Sequence, residues 1–177
     1  MKNKYEIKGD KTYICLGKSE HIQEVTIIDT EDLEKFINLE KYITRQFEHK
    51  TNSYYAIVRL TVNGKPQNVL LHRMITNAKN GYSVDHINHN TLDNRKSNLR
   101  ICTNSQNHQN RKGAQKNSKS GIRGVYWDKR KQKWGAQLEI MGNCVFSRSF
   151  DSISEAERAV KEARAKYMPY SQEALAK

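Results

Sequence analysis

The sequence predicts an α+β chain built from small modules. These are a β-rich N-terminal part, a central strand–loop–strand–helix unit, and a C-terminal three-stranded antiparallel sheet backed by one helix. Three observations predict it. Only 36% of the 177 residues are apolar, too few for one large core. Short alternating strand patterns are separated by turn signals such as Asn63-Gly64 and Met141-Gly142-Asn143. Two helix-start signals, Thr103-x-x-Gln106 and Ser152-x-x-Glu155, directly follow strand patterns.

Tyr13 to Leu16 and Val25 to Ile28 are β-prone runs. Asp29-Thr30 precedes an expected short helix over 31–37, with acids in its first turn and Leu33, Phe36 and Ile37 on one face. Residues 53–62 carry the strongest strand pattern, and Asn63-Gly64 turns it back into a strand through Val69-Leu70-Leu71. A short helix is expected over 72–79 and a strand over 82–86. A loop rich in Asn, Asp, His and Ser runs from Ile87 to Asn98, a second strand from Asn98 to Cys102, and a helix capped by Thr103 follows. Residues 112–121 have linker composition. Strands are expected over 122–127, 133–140 and 144–150. The final helix starts at Ser152, with Ile153, Ala156, Val160, Ala163 and Tyr167 as its buried stripe and Pro169 ending it. The expected modules are 1–64, without an assigned role; 65–112; a basic linker, 113–120; 121–170; and a tail, 171–177.

The net charge of +12 is concentrated centrally. Residues 51–112 carry nine Lys/Arg against two Asp/Glu, and 113–150 carry eight against two, whereas both ends of the chain are nearly balanced. This bias implies a polyanionic partner, and double-stranded DNA is expected. RNA fits the charge, but no aromatic-rich RNA signature is visible. No apolar run approaches the roughly 20 residues of a membrane span, and no signal peptide is visible, so a cytoplasmic chain without a membrane partner is expected. Cys15, Cys102 and Cys144 are isolated and odd in number, which argues against a disulfide framework and a structural zinc. Monomer and homodimer both stay open.

Cutting a phosphodiester requires a base for the attacking water and positive charge for the leaving 3′ oxygen. An imidazole suits the first, and a hard divalent cation on oxygen ligands suits the second. Asp85-His86 supplies both residue types at the end of one strand, and Asn107 offers an amide oxygen near the start of the capped helix. The longer string is more specific: Asp85-His86-x-Asn88-x-Asn90-x-x-Asp93-Asn94-Arg95-x-x-Asn98-Leu99-Arg100, then Thr103-x-x-Gln106-Asn107, with Leu71-His72-Arg73 upstream. Residues 69–111 resemble the HNH endonuclease family, the ββα-metal nucleases of phages and introns. The resemblance implies one Mg²⁺ or Mn²⁺ held by Asp85 and Asn107, with His86 as general base. It implies that Asn98 pins the loop and that His72 approaches the phosphate. It also implies a homing-type enzyme, working in a bacterial host cell if phage-encoded. Arg73, Arg100, Arg111 and Lys112 are expected DNA contacts. The family's final His is here Asn107, with His108 beside it, and His89 stands where relatives often have Gly.

Residues 118–170 resemble the ethylene-response-factor (APETALA-type) DNA-binding domain. The carrying residues are Ser120-Gly121-Ile122-Arg123-Gly124-Val125-Tyr126-Trp127-Asp128, Lys133-Trp134-x-Ala136-x-Leu138, Phe150 and Ser154-Glu155-Ala156-Glu157-x-Ala159. This likeness implies a sheet that enters the major groove. Alternation puts Trp134, Ala136, Leu138 and Ile140 toward the helix and Gln137 and Glu139 on the opposite face. Arg123, Tyr126, Lys129, Arg130 and Lys131 are expected to join Gln137, with Arg123 and Arg130 able to read guanine and the lysines contacting phosphates. The expected function is a metal-dependent DNA endonuclease whose substrate is positioned by the linker and sheet. The alternative is a non-catalytic DNA-binding regulator with a decayed nuclease core. The intact Asp85, His86, Asn98 and Asn107 argue against decay.

Overall fold

Turns at asparagine and glycine fold the first hundred residues into three small antiparallel sheets. The computed structural model describes residues 1–16 and 24–176, which pack as two units, Met1–Cys102 and Thr103–Lys177. In the first unit β1 (Tyr5–Lys8), β2 (Lys11–Cys15) and β3 (Val25–Asp29) form one sheet in that order. β4 (Ile43–Glu48), β5 (Ser53–Val62) and β6 (Lys65–Leu70) form the second, and β7 (Ser83–His86) pairs with β8 (Leu99–Cys102). Asn63 and Gly64 both take positive φ, 50° and 74°, the conformation that a two-residue hairpin turn requires. A 3-10 turn (Thr30–Asp32) and α1 (Glu34–Ile37) link the first two sheets, and α2 (Leu71–Thr76) links the second to the hairpin.

One core serves all three sheets. It gathers Ile14, Leu16 and Ile28 from the first, Ile43, Ala56 and Val58 from the second, Leu99 from β8, and Phe36, Leu71 and Ile75 from the helices. No sheet buries enough apolar surface alone, so residues 1–64 and the β7–β8 hairpin are packed around shared side chains. Two local expectations are corrected, and β4 is a strand that no expectation covered. β4 carried no clear strand signal, because Ile43 is its only fully buried side chain. α2 stops at Thr76 because Asn77 caps it in the left-handed region (φ 51°). Leu33 and Phe36 face the core, but Ile37 is 40% exposed. The turn leading into α1 is 3-10, where positions three apart align and the fourth swings out.

In the second unit, α3 (Asn104–Gln109) precedes a sheet of β9 (Val125–Asp128), β10 (Lys133–Ile140) and β11 (Asn143–Phe150), with β10 central. α4 (Ile153–Tyr167) and α5 (Gln172–Leu175) follow. Both predicted capping boxes form: Thr103 with Gln106, and Ser152 with Glu155. Val125, Ala136, Ala156 and Val160 make one apolar cluster, and Leu138, Ala163 and Met168 another. β9 starts at Val125 rather than 122. Gly124 sits at φ 82°, and a Cβ there would lie 2.7 Å from the Gln137 carbonyl oxygen and 2.9 Å from Val160 Cγ2, so only glycine lets the chain approach β10. Tyr167 is exposed, and Arg164 is buried in the helix stripe instead. Arg164 donates to Glu173 Oε1 and to the Arg123 carbonyl at 2.7 Å each. No helix among the described residues is long and apolar enough to cross a membrane.

Phe36→Ala is expected to cost about 3–5 kcal/mol in urea unfolding, whereas Ile37→Ala should stay within about 0.5 kcal/mol. Equal losses at the two positions would refute the packing of α1.

Candidate active site

The hairpin register places Asp85 opposite Arg100 and His86 opposite Leu99. All four are buried or nearly so. Arg100 donates from Nε (2.9 Å) and Nη2 (2.7 Å) to Asp85 Oδ2, so the buried carboxylate is met by a guanidinium. His86 is the last residue of its strand. The chain then bends, with the His89 amide donating to the His86 carbonyl and the Ile87 amide to the Asn98 carbonyl. His89 takes φ 63°, a conformation that glycine adopts freely, so His89 is a turn residue.

The loop between the strands is held by its own amides. Asn98 Oδ1 accepts from the Asn88 amide (2.9 Å), and Asn98 Nδ2 donates to the Asp93 carbonyl (2.8 Å). Asn88 Nδ2 donates to Asp93 Oδ2, and Arg95 Nε and Nη2 reach the two Asp93 oxygens at 2.8 and 2.7 Å.

His86 lies against a second histidine. The His72 and His86 rings are perpendicular with centroids 5.0 Å apart, and Tyr55 packs against both at 5.8 and 6.0 Å. Burial pushes the His72 pKa down to about 3, helped by His86 and Arg73. Burial also lowers that of His86, against the opposing pull of Asn94, Asp85 and Asp93. Both rings are therefore neutral near neutral pH, and a neutral ring can accept a proton.

The first unit thus brings together Asp85, His86, Asn98 and His72. Asn107, part-buried on α3, belongs to the second unit, and its neighbour His108 is exposed. Arg111, Lys112, Tyr126, Lys129 and Arg130 are exposed there, and Gln137 Nε2 donates to Glu139 Oε1 at 2.7 Å. Three arginines expected at DNA are engaged within the chain. Arg100 holds Asp85. Arg73 donates to the carbonyls of Ala78, Lys79 and Tyr82, closing the loop after α2. Arg123 donates to those of His108, Gln109 and Arg111, at the end of α3. A guanidinium carries five donors in a fixed fork, and helix and loop ends offer the unpaired carbonyls it matches.

Among the described residues no three His, Cys, Asp or Glu side chains converge as a metal cluster. Of the two residues expected to hold a metal, Asp85 offers a carboxylate in the first unit and Asn107 an amide in the second. Hard oxygen donors in small number suit Mg²⁺ or Mn²⁺, which keep several waters when protein-bound. Each of these groups, taken by itself, is of the oxygen type that such an ion accepts.

Residues 69–109 match the model of the HNH endonuclease family. The matched segment runs from the end of β6 through α3, taking in His72, Asp85, His86, Asn98 and Asn107, and it supports a nuclease. No curated protein and no solved structure gives a significant match to the chain. Sequence reasoning missed Asn94, Tyr55 and Thr26. Asn94 sits inside the recognised string but carried no assigned role, and nothing local marks the other two.

The buried neutral His72 predicts acid sensitivity. Its folded pKa, about 3, lies below the unfolded value near 6.5, so its contribution is complete above that value. It is lost as pH falls toward the folded pKa, at up to about 1.4 kcal/mol per pH unit. Urea midpoints measured against pH should fall more steeply for the natural chain than for His72→Phe. Identical slopes would show that His72 is not held neutral.

Proposed function

We propose that the chain is a metal-dependent DNA endonuclease of the homing type, with His86 as general base and Asp85 and Asn107 holding one divalent cation. The observation that carries this reading is the β7–β8 hairpin. Within the segment matched by the nuclease family, it sets a buried carboxylate and a neutral buried imidazole on consecutive residues. A water oxygen attacks phosphorus, its proton passes to His86, and the bond to the 3′ oxygen breaks. A divalent cation, when bound by Asp85 and Asn107, would supply positive charge for the phosphate and the leaving oxygen. Arg100 fixes the Asp85 carboxylate, Asn98 fixes the loop behind His86, and His72 packs against the base.

Double-stranded DNA is the proposed substrate. Arg111, Lys112, Tyr126, Lys129, Arg130 and Gln137 are its proposed contacts, with the C-terminal sheet entering the major groove as in ethylene-response-factor domains. Arg123 is left out because its donors serve α3. One observation favours the regulator reading: Arg100 already compensates the charge of Asp85, as it would in a core without a metal.

Supercoiled plasmid incubated with Mg²⁺ or Mn²⁺, with and without EDTA, separates the two. The nuclease yields nicked or linear product only with free metal, and the regulator yields neither. His86→Ala should lower cleavage by about 10²–10⁴-fold while leaving DNA affinity in gel shifts unchanged; undiminished cleavage removes His86 as the base. DNA affinity should fall by about 10³-fold or more between roughly 50 and 200 mM salt if six or more phosphates are contacted. A flat response would place the DNA footprint away from the basic centre of the chain.

A further inference from the structure

We propose that Thr26, acting through Asn94, is a positioning residue that sets which ring nitrogen of His86 carries the proton. Strand β3, outside the segment matched by the nuclease family, would then be part of the catalytic apparatus. The inference rests on His86 as general base.

Three side chains form a buried line of hydrogen bonds. Thr26 is fully buried, Asn94 is 1% exposed and His86 is 5% exposed. The Thr26 hydroxyl donates to the Leu92 carbonyl at 2.8 Å. Its single proton is thereby used, and toward Asn94 it can only accept. Asn94 Nδ2 donates to Thr26 Oγ1 at 2.7 Å, which fixes the orientation of the amide. Asn94 Oδ1 then faces His86 Nε2 at 3.2 Å and can only accept. A neutral imidazole has one N–H, so Nε2 must carry it and the lone pair lies on Nδ1. With the hydroxyl absent, only the longer bond from Asn94 Nδ2 to the Leu92 carbonyl, 3.5 Å, still distinguishes the two ends of the amide. A flipped amide would present N–H to Nε2 and move the lone pair there, reversing the base.

The backbone around this line is equally fixed. The Ile27 amide donates to the Leu92 carbonyl (2.9 Å), and the Asn94 amide donates to the Ile27 carbonyl (2.7 Å). Ile27 and Asp93 thus form a parallel bridge, and the catalytic loop lies along the edge of β3. Asp29 Oδ2 accepts from the Lys96 amide at 2.7 Å, and Lys96 Nζ reaches Glu31 and Asp32. Residues 25–32 therefore splint the loop over 92–96. Within that splint, Thr26 is the side chain whose chemistry passes to the reacting histidine.

The tautomer is measurable without metal or DNA. Long-range ¹H–¹⁵N spectra of the full chain, at a pH where free histidine is neutral, should show His86 with its proton on Nε2. The signals are assigned by their loss in His86→Gln. Thr26→Val keeps shape and strand propensity but removes the hydroxyl. It should give a mixture of His86 tautomers and lower kcat by about tenfold to a hundredfold, with KM and DNA affinity unchanged. Thr26→Ser restores the hydroxyl and should restore both the single tautomer and kcat, which mere loss of packing would not explain. An Nδ1–H tautomer in the natural chain overturns the proposal. So does a valine variant with the natural tautomer and kcat. If the valine chain does not fold, the natural tautomer and the serine variant decide: Nε2–H in both upholds the proposal, and Nδ1–H in either overturns it. Cleavage retained by His86→Gln would overturn the general-base reading instead, and the tautomer result would still stand by itself.

Discussion

The arrangement of the first unit depends on one side chain, the amide of Asn98. The span from Ile87 to Asn98 lies between two short strands and has no ladder of its own. Its polar groups are nonetheless partly buried, and buried polar groups need partners. Asn98 serves two at once, accepting from the Asn88 amide and donating to the Asp93 carbonyl. Each group left unsatisfied would cost about 1–3 kcal/mol. With these bonds made, the loop folds back at the end of β7. Asp85 and His86, adjacent in the chain, then meet different surroundings: Asp85 meets Arg100, and His86 meets Asn94, His72 and Tyr55. A continuing strand would send the two side chains to opposite faces without enclosing either.

Positive charge alone does not say where an arginine points. A basic chain with a polyanionic partner invites every Arg to be read as a DNA contact. Yet Arg73, Arg100, Arg123 and Arg164 direct their guanidinium groups to carbonyls or carboxylates of their own unit. Exposed lysines are compact point charges suited to phosphate, whereas the forked guanidinium can close a loop or stop a helix. The excess charge still supports a nucleic-acid partner, but fewer side chains express it at the surface than the sequence suggests.

Legibility followed locality. The hairpin at Asn63-Gly64, the capping boxes at Thr103 and Ser152, and β10 were all readable because each is encoded by residues within a few positions. Asp85, His86 and Asn98 were readable because their spacing is itself a short motif. β4 was hidden because its residues lack a regular buried face. The fold of residues 1–64 around the same core as Leu71 and Leu99 was hidden because shared burial leaves no periodic mark. The partners of His86 were hidden for the same reason. Thr26 lies 68 positions from Asn94, and a threonine in a β-prone run reads as an ordinary strand residue.

The way Arg123 closes α3 has an architectural consequence. Its guanidinium terminates a helix that carries Asn107, while its own backbone carbonyl is held by Arg164 of α4. The tail adds two further ties, from the Tyr170 amide to Gln109 and from Gln172 to Asn110. The family likeness ends at residue 109, but the physical seam lies earlier, after Cys102. A chain shortened to the nuclease-like segment would keep the letters of the motif and lose the clamp on its last helix. Exchange of the C-terminal part for another domain would have to respect that seam, carrying α3 along with the sheet. In such a chain, the packed units do not divide where the sequence signatures divide.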